Sequence, residues 1–305
     1  MKSTLAILIL IAFSFTKSRA QQVASYTQYM FNGLAINPAY AGSHEALSTS
    51  FLSRFQNVGL KGAPNTQTLS IHSPLLNKRV ALGMLVIHDQ ISVIDQTGIH
   101  FMYAYRLPVF KGKGTLSMGL QGGVSFYRAD YTHLDVYNPN DPAFASDIRE
   151  ATPNFGAGLF YYTKFAYAGV SMPNLINNVM DRGAQFQTVY QNKPIILTGG
   201  YVFTLNRMLK IKPNALLKFL DDRPVEFDLN CNLLFDEVLW AGLSYKSSNA
   251  IALLTQIQVT DQLQFGYSYQ VATGPINAVA VGSHELMVNY RFMYNKKGLV
   301  SPRYF

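Results

Sequence analysis

The side chains able to do chemistry are few and scattered. Six histidines, at positions 44, 72, 88, 100, 133 and 284, never fall at the spacing with which two imidazoles share a metal ion. No Gly-x-Ser-x-Gly elbow and no phosphate-cradling glycine loop occurs. One arrangement would suit an embedded hydrolase: His100, on the same strand-like stretch as Arg106, could meet Ser70 or His72 if all of them faced one cavity. The competing expectation is polar side chains lining a lumen and bonded to water. His133, Asp135, Asp141, Asp147 and Glu150 accompany the run Asn138-Pro139-Asn140-Asp141-Pro142, oxygen-rich enough for calcium but without calcium-loop spacing. Asn, Asp and Pro are also what solvated turns select. Lys210, Lys212 and Lys218 mark one side of a stretch whose other side is Leu209, Ile211, Ala215, Leu217 and Phe219. Glu226 and Asp228 follow on the next stretch, so cross-strand pairing is expected, a structural role rather than anion selection. Cys231 is single and reads as a small hydrophobe on an apolar face. The sequence thus assigns no catalytic residue, no cofactor and no metal ligand, and the chain is expected not to be an enzyme.

The elements that must position these residues follow from hydropathy. Residues 1–20 read as a secretory signal peptide: Lys2 is the basic start, residues 5–15 the apolar core, and Ser18-Arg19-Ala20 the small-x-small cleavage site. Downstream no long uninterrupted apolar run appears, which excludes a helical bundle in the membrane but not a β-barrel, whose lipid-facing residues are every second one. Charged residues make up only 14% against about 25% in ordinary soluble domains. Tyr (19) and Phe (20) are numerous, as suits membrane interfaces. The formal charge of +8 is spread along the chain, with no basic cluster interleaved with aromatics, so nucleic acid is not an expected partner.

From residue 46 onward, segments alternate with period two. In residues 115–127, Leu116, Met118, Leu120, Val124 and Phe126 oppose Thr115, Ser117, Gln121 and Ser125; in 224–234, Val225, Phe227, Leu229, Cys231 and Leu233 oppose Glu226, Asp228, Asn230 and Asn232. Later, Phe265, Tyr267 and Tyr269 oppose Gln264, Ser268 and Gln270, and Leu286, Val288, Tyr290 and Phe292 oppose Glu285, Asn289 and Arg291. Acids and amides on the second face would be costly in a dry core and charge would be costly against lipid, so a watered lumen is expected. The segments are 46–54, 66–73, 80–88, 97–107, 114–127, 154–162, 164–172, 195–205, 208–219, 224–234, 238–246, 250–259, 262–270 and 284–293. This predicts a transmembrane antiparallel up-and-down barrel of about 14 strands, an even number. Connections at one end are all short, and those at the other include the long ones at 56–65, 128–153, 173–194 and 271–283. Short turns belong to the periplasm and long loops to the outside.

Before the barrel, residues 21–45 form a periplasmic or plug segment. Tyr26, Tyr29, Met30, Gly33 and Leu34 fall at helical spacing, Ser25 with Gln28 forms a capping box, and Asn37-Pro38 ends the run, so a short amphipathic helix is expected. Tyr29, Met30, Phe31, Asn32, Asn37, Pro38, Tyr40 and Gly42 are the candidate residues for plugging the lumen or docking a partner.

The residues also carry a resemblance. Gln28-Tyr29-Met30-Phe31-Asn32 with Asn37-Pro38-Ala39-Tyr40-Ala41-Gly42-Ser43 is similar to the N-terminal signature of the PorP/SprF family of outer-membrane proteins associated with the type IX secretion system. Gly62-Ala63-Pro64-Asn65-Thr66-Gln67-Thr68, His72-Ser73-Pro74-Leu75, Asn140-Asp141-Pro142-Ala143-Phe144, Pro153-Asn154-Phe155-Gly156-Ala157-Gly158 and Met172-Pro173-Asn174-Leu175 follow in the family's order. The first outer loop departs from it, with Asn57-Val58-Gly59 and Lys61 where the family often has a Trp before the glycine and an acid after it. The resemblance implies a non-enzymatic barrel in outer-membrane lipid that works with secretion or gliding machinery. Its implied partners are the C-terminal domain of a secreted surface adhesin and periplasmic ring components. An outer-membrane pore for small solutes is the alternative.

Overall fold

In a computed structural model the described residues are 26–75, 78–133, 146–176, 179–181, 187–189, 193–221 and 223–292. The expected signal peptide lies outside them. Among them the chain forms β1 (Leu47–Val58), β2 (Asn65–Pro74), β3 (Val80–Ile91), β4 (Ile94–Val109), β5 (Gly114–Ala129), β6 (Ile148–Thr163), β7 (Ala166–Met172), β8 (Val179–Asp181) and β9 (Gln187–Val189). The second half adds β10 (Ile195–Tyr201), β11 (Phe203–Thr204), β12 (Leu209–Phe219), β13 (Glu226–Phe235), β14 (Leu239–Lys246), β15 (Ala250–Gln258), β16 (Leu263–Ala272) and β17 (Gly282–Phe292). β8 and β9 pair only with each other, in a two-stranded ribbon outside the wall.

Every wall strand pairs antiparallel with its neighbours, β10 bridges β7 and β12, and β1 pairs with β17, so the sheet closes. β10 and β11 are one wall strand: Gly200 faces Asn214 and Phe203 faces Ile211 in unbroken register, and the ladder lapses opposite Pro213, which has no N–H to donate. The described residues therefore form a closed barrel of 14 strands, as the alternation predicts. Closure is what lets a sheet sit in hydrocarbon, because no strand edge is left with unpaired backbone groups.

The alternation sorts side chains as expected. Leu120, Phe126, Leu229, Leu243, Leu253 and Leu286 are exposed on the outer face, while Ser117, Ser125, Asn230, Asn232, Ser268 and Asn289 are buried inside. Two expectations are corrected. The helix over residues 26–34 is absent; instead three single 3-10 turns, Tyr29–Phe31, Gly33–Ala35 and Pro38–Tyr40, follow one another. Side chains on all sides of this segment are buried, so no solvent-facing stripe exists to favour one continuous amphipathic helix. The strands β4 and β6 also begin earlier or run later than the alternation suggests. With β5 they are 16 residues each. At about 3.4 Å per residue and a tilt near 40°, they stand roughly 40 Å tall, beyond an apolar band about 25 Å high. Beyond that band a strand has no lipid to face, and in the upper parts of β4 and β6 the apolar periodicity fades.

An arginine in place of Leu243, which is 57% exposed at mid-height on β14, should cost about 2–4 kcal/mol, read by urea unfolding in phospholipid bilayers. An unchanged midpoint would place this face away from lipid.

Candidate functional site

The lumen is not simply watered, because residues 26–43 descend through it. The segment starts level with the upper half of β1 and leaves beside the start of that strand, which the short-turn end identifies as the periplasmic mouth. Its upper end is gripped by Glu285 on β17. That carboxylate accepts the backbone N–H groups of Thr27 at 3.0 Å and Gln28 at 2.8 Å, and the Arg54 guanidinium at 3.0 Å. Arg54 also donates to the Thr27 hydroxyl at 2.9 Å and to the Gln270 side-chain oxygen at 3.0 Å. Gln256 donates to the Gln28 side-chain oxygen at 3.2 Å, and the Tyr26 hydroxyl bonds that of Thr68 at 2.8 Å. Glu285 is 1% exposed. A buried carboxylate is tolerable only when charge-assisted bonds replace its hydration, and here the arginine and two successive amides do so.

Midway, Tyr29 and Met30 are buried against Leu52, Leu216, Leu254 and Met287. Asn230 donates to the Tyr29 hydroxyl at 3.4 Å. The ring of Phe31 lies edge-on to Trp240 with centroids 5.7 Å apart. Together with Tyr167 these rings box the Lys212 ammonium, at 5.0 Å from Phe31, 5.6 Å from Trp240 and 5.9 Å from Tyr167. Lys212 is 0% exposed, and the ring faces supply part of the stabilisation that water would. The Ser70 hydroxyl donates to the Asn32 side-chain oxygen at 2.8 Å.

Lower down, Asn37 caps the turn that Pro38 opens, accepting the Ala39 N–H at 2.9 Å, and its amide donates to the Leu159 and Val170 carbonyls at 2.9 and 3.4 Å. The wall makes room for it. A Cβ at Gly119 would run into the backbone of Pro38 and Ala39, and one at Gly158 into Asn37. Tyr40 and His44 are hydrogen-bonded at 3.0 Å, His44 and Ser48 at 2.9 Å, and the Gly42 N–H donates to His72 Nδ1 at 3.1 Å. Gly42 turns at φ +75, a conformation glycine adopts without strain. All eight candidate residues of the segment thus touch the inner wall.

The arrangement imagined for a hydrolase does not assemble. Ser70 is engaged by Asn32, Leu85 stands between it and His100 in the strand register, and His72 receives Gly42. Arg106 sits at the periplasmic end, donating to the Lys78 carbonyl at 3.1 Å and the Tyr162 hydroxyl at 2.6 Å. Of the oxygen-rich stretch, Asp147 accepts the Thr132 N–H and hydroxyl and Glu150 lies on β6, while Asp135 and Asp141 lie outside the described residues. The expected lysine pairing holds for Lys218 with Glu226 at 2.6 Å, but Asp228 pairs with Lys246 at 3.5 Å, Lys210 pairs with Glu237, and Lys212 takes the aromatic box. Arg54, Gln256, Gln270 and Trp240 were not legible as site residues. Arg54 and Glu285 are separated by most of the chain, and only barrel closure makes them register partners.

Fold and site together define an outer-membrane-type β-barrel whose own N-terminal stretch occupies the lumen. The family described as Type IX secretion system membrane protein PorP/SprF matches residues 18–290, and the chain belongs to it. Its place is the outer membrane. A comparison with individually curated proteins finds no match. Among solved structures, the CymD monoaromatic hydrocarbon channel is 11% identical with a TM-score of 0.50, over 88% of this chain and 94% of that one. A Pseudomonas aeruginosa FadL homologue is 12% identical with a TM-score of 0.48, over 90% and 96%. The Acinetobacter baumannii outer membrane protein Omp33 is 12% identical with a TM-score of 0.48, over 81% and 98%. Likeness at such identity concerns the fold alone.

Replacing Glu285 by alanine strips the partner from a buried arginine and two amides, and should cost about 3–5 kcal/mol. It should show as lost hydrogen-exchange protection at Thr27 and Gln28. Gln256→Ala removes two neutral bonds, one to Gln28 and one from Gln264, and should cost about 1–3 kcal/mol. Equal protection in the two variants would rule out the carboxylate as the grip on the segment.

Proposed function

We propose that this barrel is a non-enzymatic component of the type IX secretion and gliding machinery that supports secretion or surface anchoring of a partner protein. Its outer loops hold the C-terminal domain of a secreted adhesin, and its periplasmic mouth meets ring components of the machinery. Residues 26–43 act as a plug, so the barrel works as a closed scaffold rather than as a passage for solutes. The observation that carries this reading is the occupied lumen: the segment is held from Glu285 at the top to His72 at the bottom, by backbone as well as side-chain bonds. A diffusion pore needs a continuous water path, which such filling opposes. Membership of a secretion-system family supports the rest.

Deleting the gene should leave one large surface protein trapped inside the cell, measured by surface proteomics. A surface proteome identical to that of the parent strain would refute the reading. In planar bilayers the purified protein should be silent, and Phe31→Ala combined with Tyr40→Ala should open measurable conductance while boiling still shifts the gel mobility of the folded barrel. Conductance in the unaltered protein would favour the solute pore instead.

A further inference from the structure

The periplasmic rim is electrically divided. Going round the wall, the turns at 75–79, 110–113, 164–165 and 205–208 carry Lys78, Arg79, Lys111, Lys113, Lys164 and Arg207 and no carboxylate. The next two turns, 236–238 and 259–262, carry Asp236, Glu237 and Asp261 and no cation of their own, Glu237 being paired with Lys210 of β12. All six cations are exposed. Among the described residues Lys78, Lys111, Lys113, Lys164 and Arg207 make no ion pair within the chain.

A second feature marks the same arc. At the tip of the β4–β5 turn Phe110 is 72% exposed. Its ring stands edge-on to that of Tyr161 on β6, with centroids 6.1 Å apart, and Lys111 and Lys113 follow it in the turn. The arc is braced from inside: Arg106 binds the Lys78 carbonyl and approaches Glu45, where the lumen segment leaves the barrel, at 3.8 Å.

We propose that this cationic arc with Phe110 at its tip is the docking surface for an acidic face of a periplasmic protein, with the acidic arc fixing the partner's rotation. The proposal rests on the reading that the periplasmic mouth engages secretion machinery, and it names the surface and the charge of what binds there. Anionic lipid is the weaker occupant. Lipid surrounds the barrel evenly, whereas the cations cover one arc and the opposite arc would repel an anionic headgroup. Complementary fields of this kind fix orientation and partner choice more than raw affinity.

The test uses the full chain in its own cells, with photoreactive benzoylphenylalanine in place of Phe110. Irradiation should yield an adduct with a periplasmic protein, through a peptide rich in Asp and Glu. The adduct should fall about tenfold or more when Lys78→Glu, Lys111→Glu, Lys113→Glu and Lys164→Glu are combined, since like charges facing each other suppress the encounter. It should persist in the matching lysine-to-arginine variant. The gel shift on boiling shows that each barrel is folded. Adducts confined to phospholipid, no protein adduct, or an adduct indifferent to charge reversal would each overturn the proposal. If the charge-reversed chain restores surface delivery in the deletion strain, docking at this arc falls while the secretion role stands; if deletion itself changes nothing at the surface, the secretion role falls and the adduct still reports on the rim.

Discussion

The Arg54–Glu285 pair sits where two problems meet. A barrel in hydrocarbon must close, and the closing ladder here is β1 against β17, joining residues far apart in the chain. Arg54 and Glu285 are register partners in that ladder, and the same carboxylate accepts two amides of the segment inside. Wall closure and lumen filling therefore share one buried ion. Until β17 arrives beside β1, the Glu285 grip on the segment does not exist; without the segment, Glu285 loses two of the donors that make its burial tolerable. The two parts stabilise each other, and neither forms a complete polar network alone.

This interdependence explains which features were legible beforehand. The number of strands, their alternation and the short-turn end could be read because lipid on one side imposes a period of two wherever a strand crosses it. Leu229, Cys231 and Leu233 against Asn230 and Asn232 are a direct print of that boundary. Where lipid ends, the print ends, and the alternation alone leaves the upper parts of β4 and β6 in the loops. The segment at 26–43 could be picked out as unusual, yet its conformation could not. Its pattern of Tyr26, Tyr29, Met30 and Leu34 suggests a helix only if one side faces water, and in the lumen every side meets wall. Its partners Arg54, Gln256 and Gln270 belong to distant strands, and no local spacing points to them.

The stretches that carry the family resemblance acquire a physical reason from the lumen. Gly158 stands where the segment's Asn37 needs space, and Asn154 bonds Asn174 at 2.5 Å while Leu175 donates to the Phe155 carbonyl at 2.7 Å. Thr68 meets Tyr26, and His72 receives Gly42. Among the described residues, the motifs at Thr68, His72 and Gly158 thus meet the lumen segment, those at 153–158 and 172–175 bond to each other, and the one at 140–144 lies outside the described residues. Among the described residues they describe a packing solution, with no nucleophile, base and oxyanion site assembled among them. His100, Ser70 and His72, the residues that most invited a chemical reading, are divided among separate structural tasks.

The lumen also gives the periplasmic rim something that surface charge alone would lack. Arg106 lies inside the barrel wall, but its guanidinium holds the Lys78 carbonyl and the Tyr162 hydroxyl and lies near Glu45, the first exposed carboxylate after the segment. A cation on a free turn loses side-chain and backbone entropy on docking, which subtracts from its worth. A turn already fixed by a buried arginine loses less. Glu45 directly follows the His44–Ser48 and Gly42–His72 contacts, so the point at which Arg106 meets the chain leaving the lumen is set by the lower end of the segment, while the Lys78 carbonyl and the Tyr162 hydroxyl hold the guanidinium on the wall side.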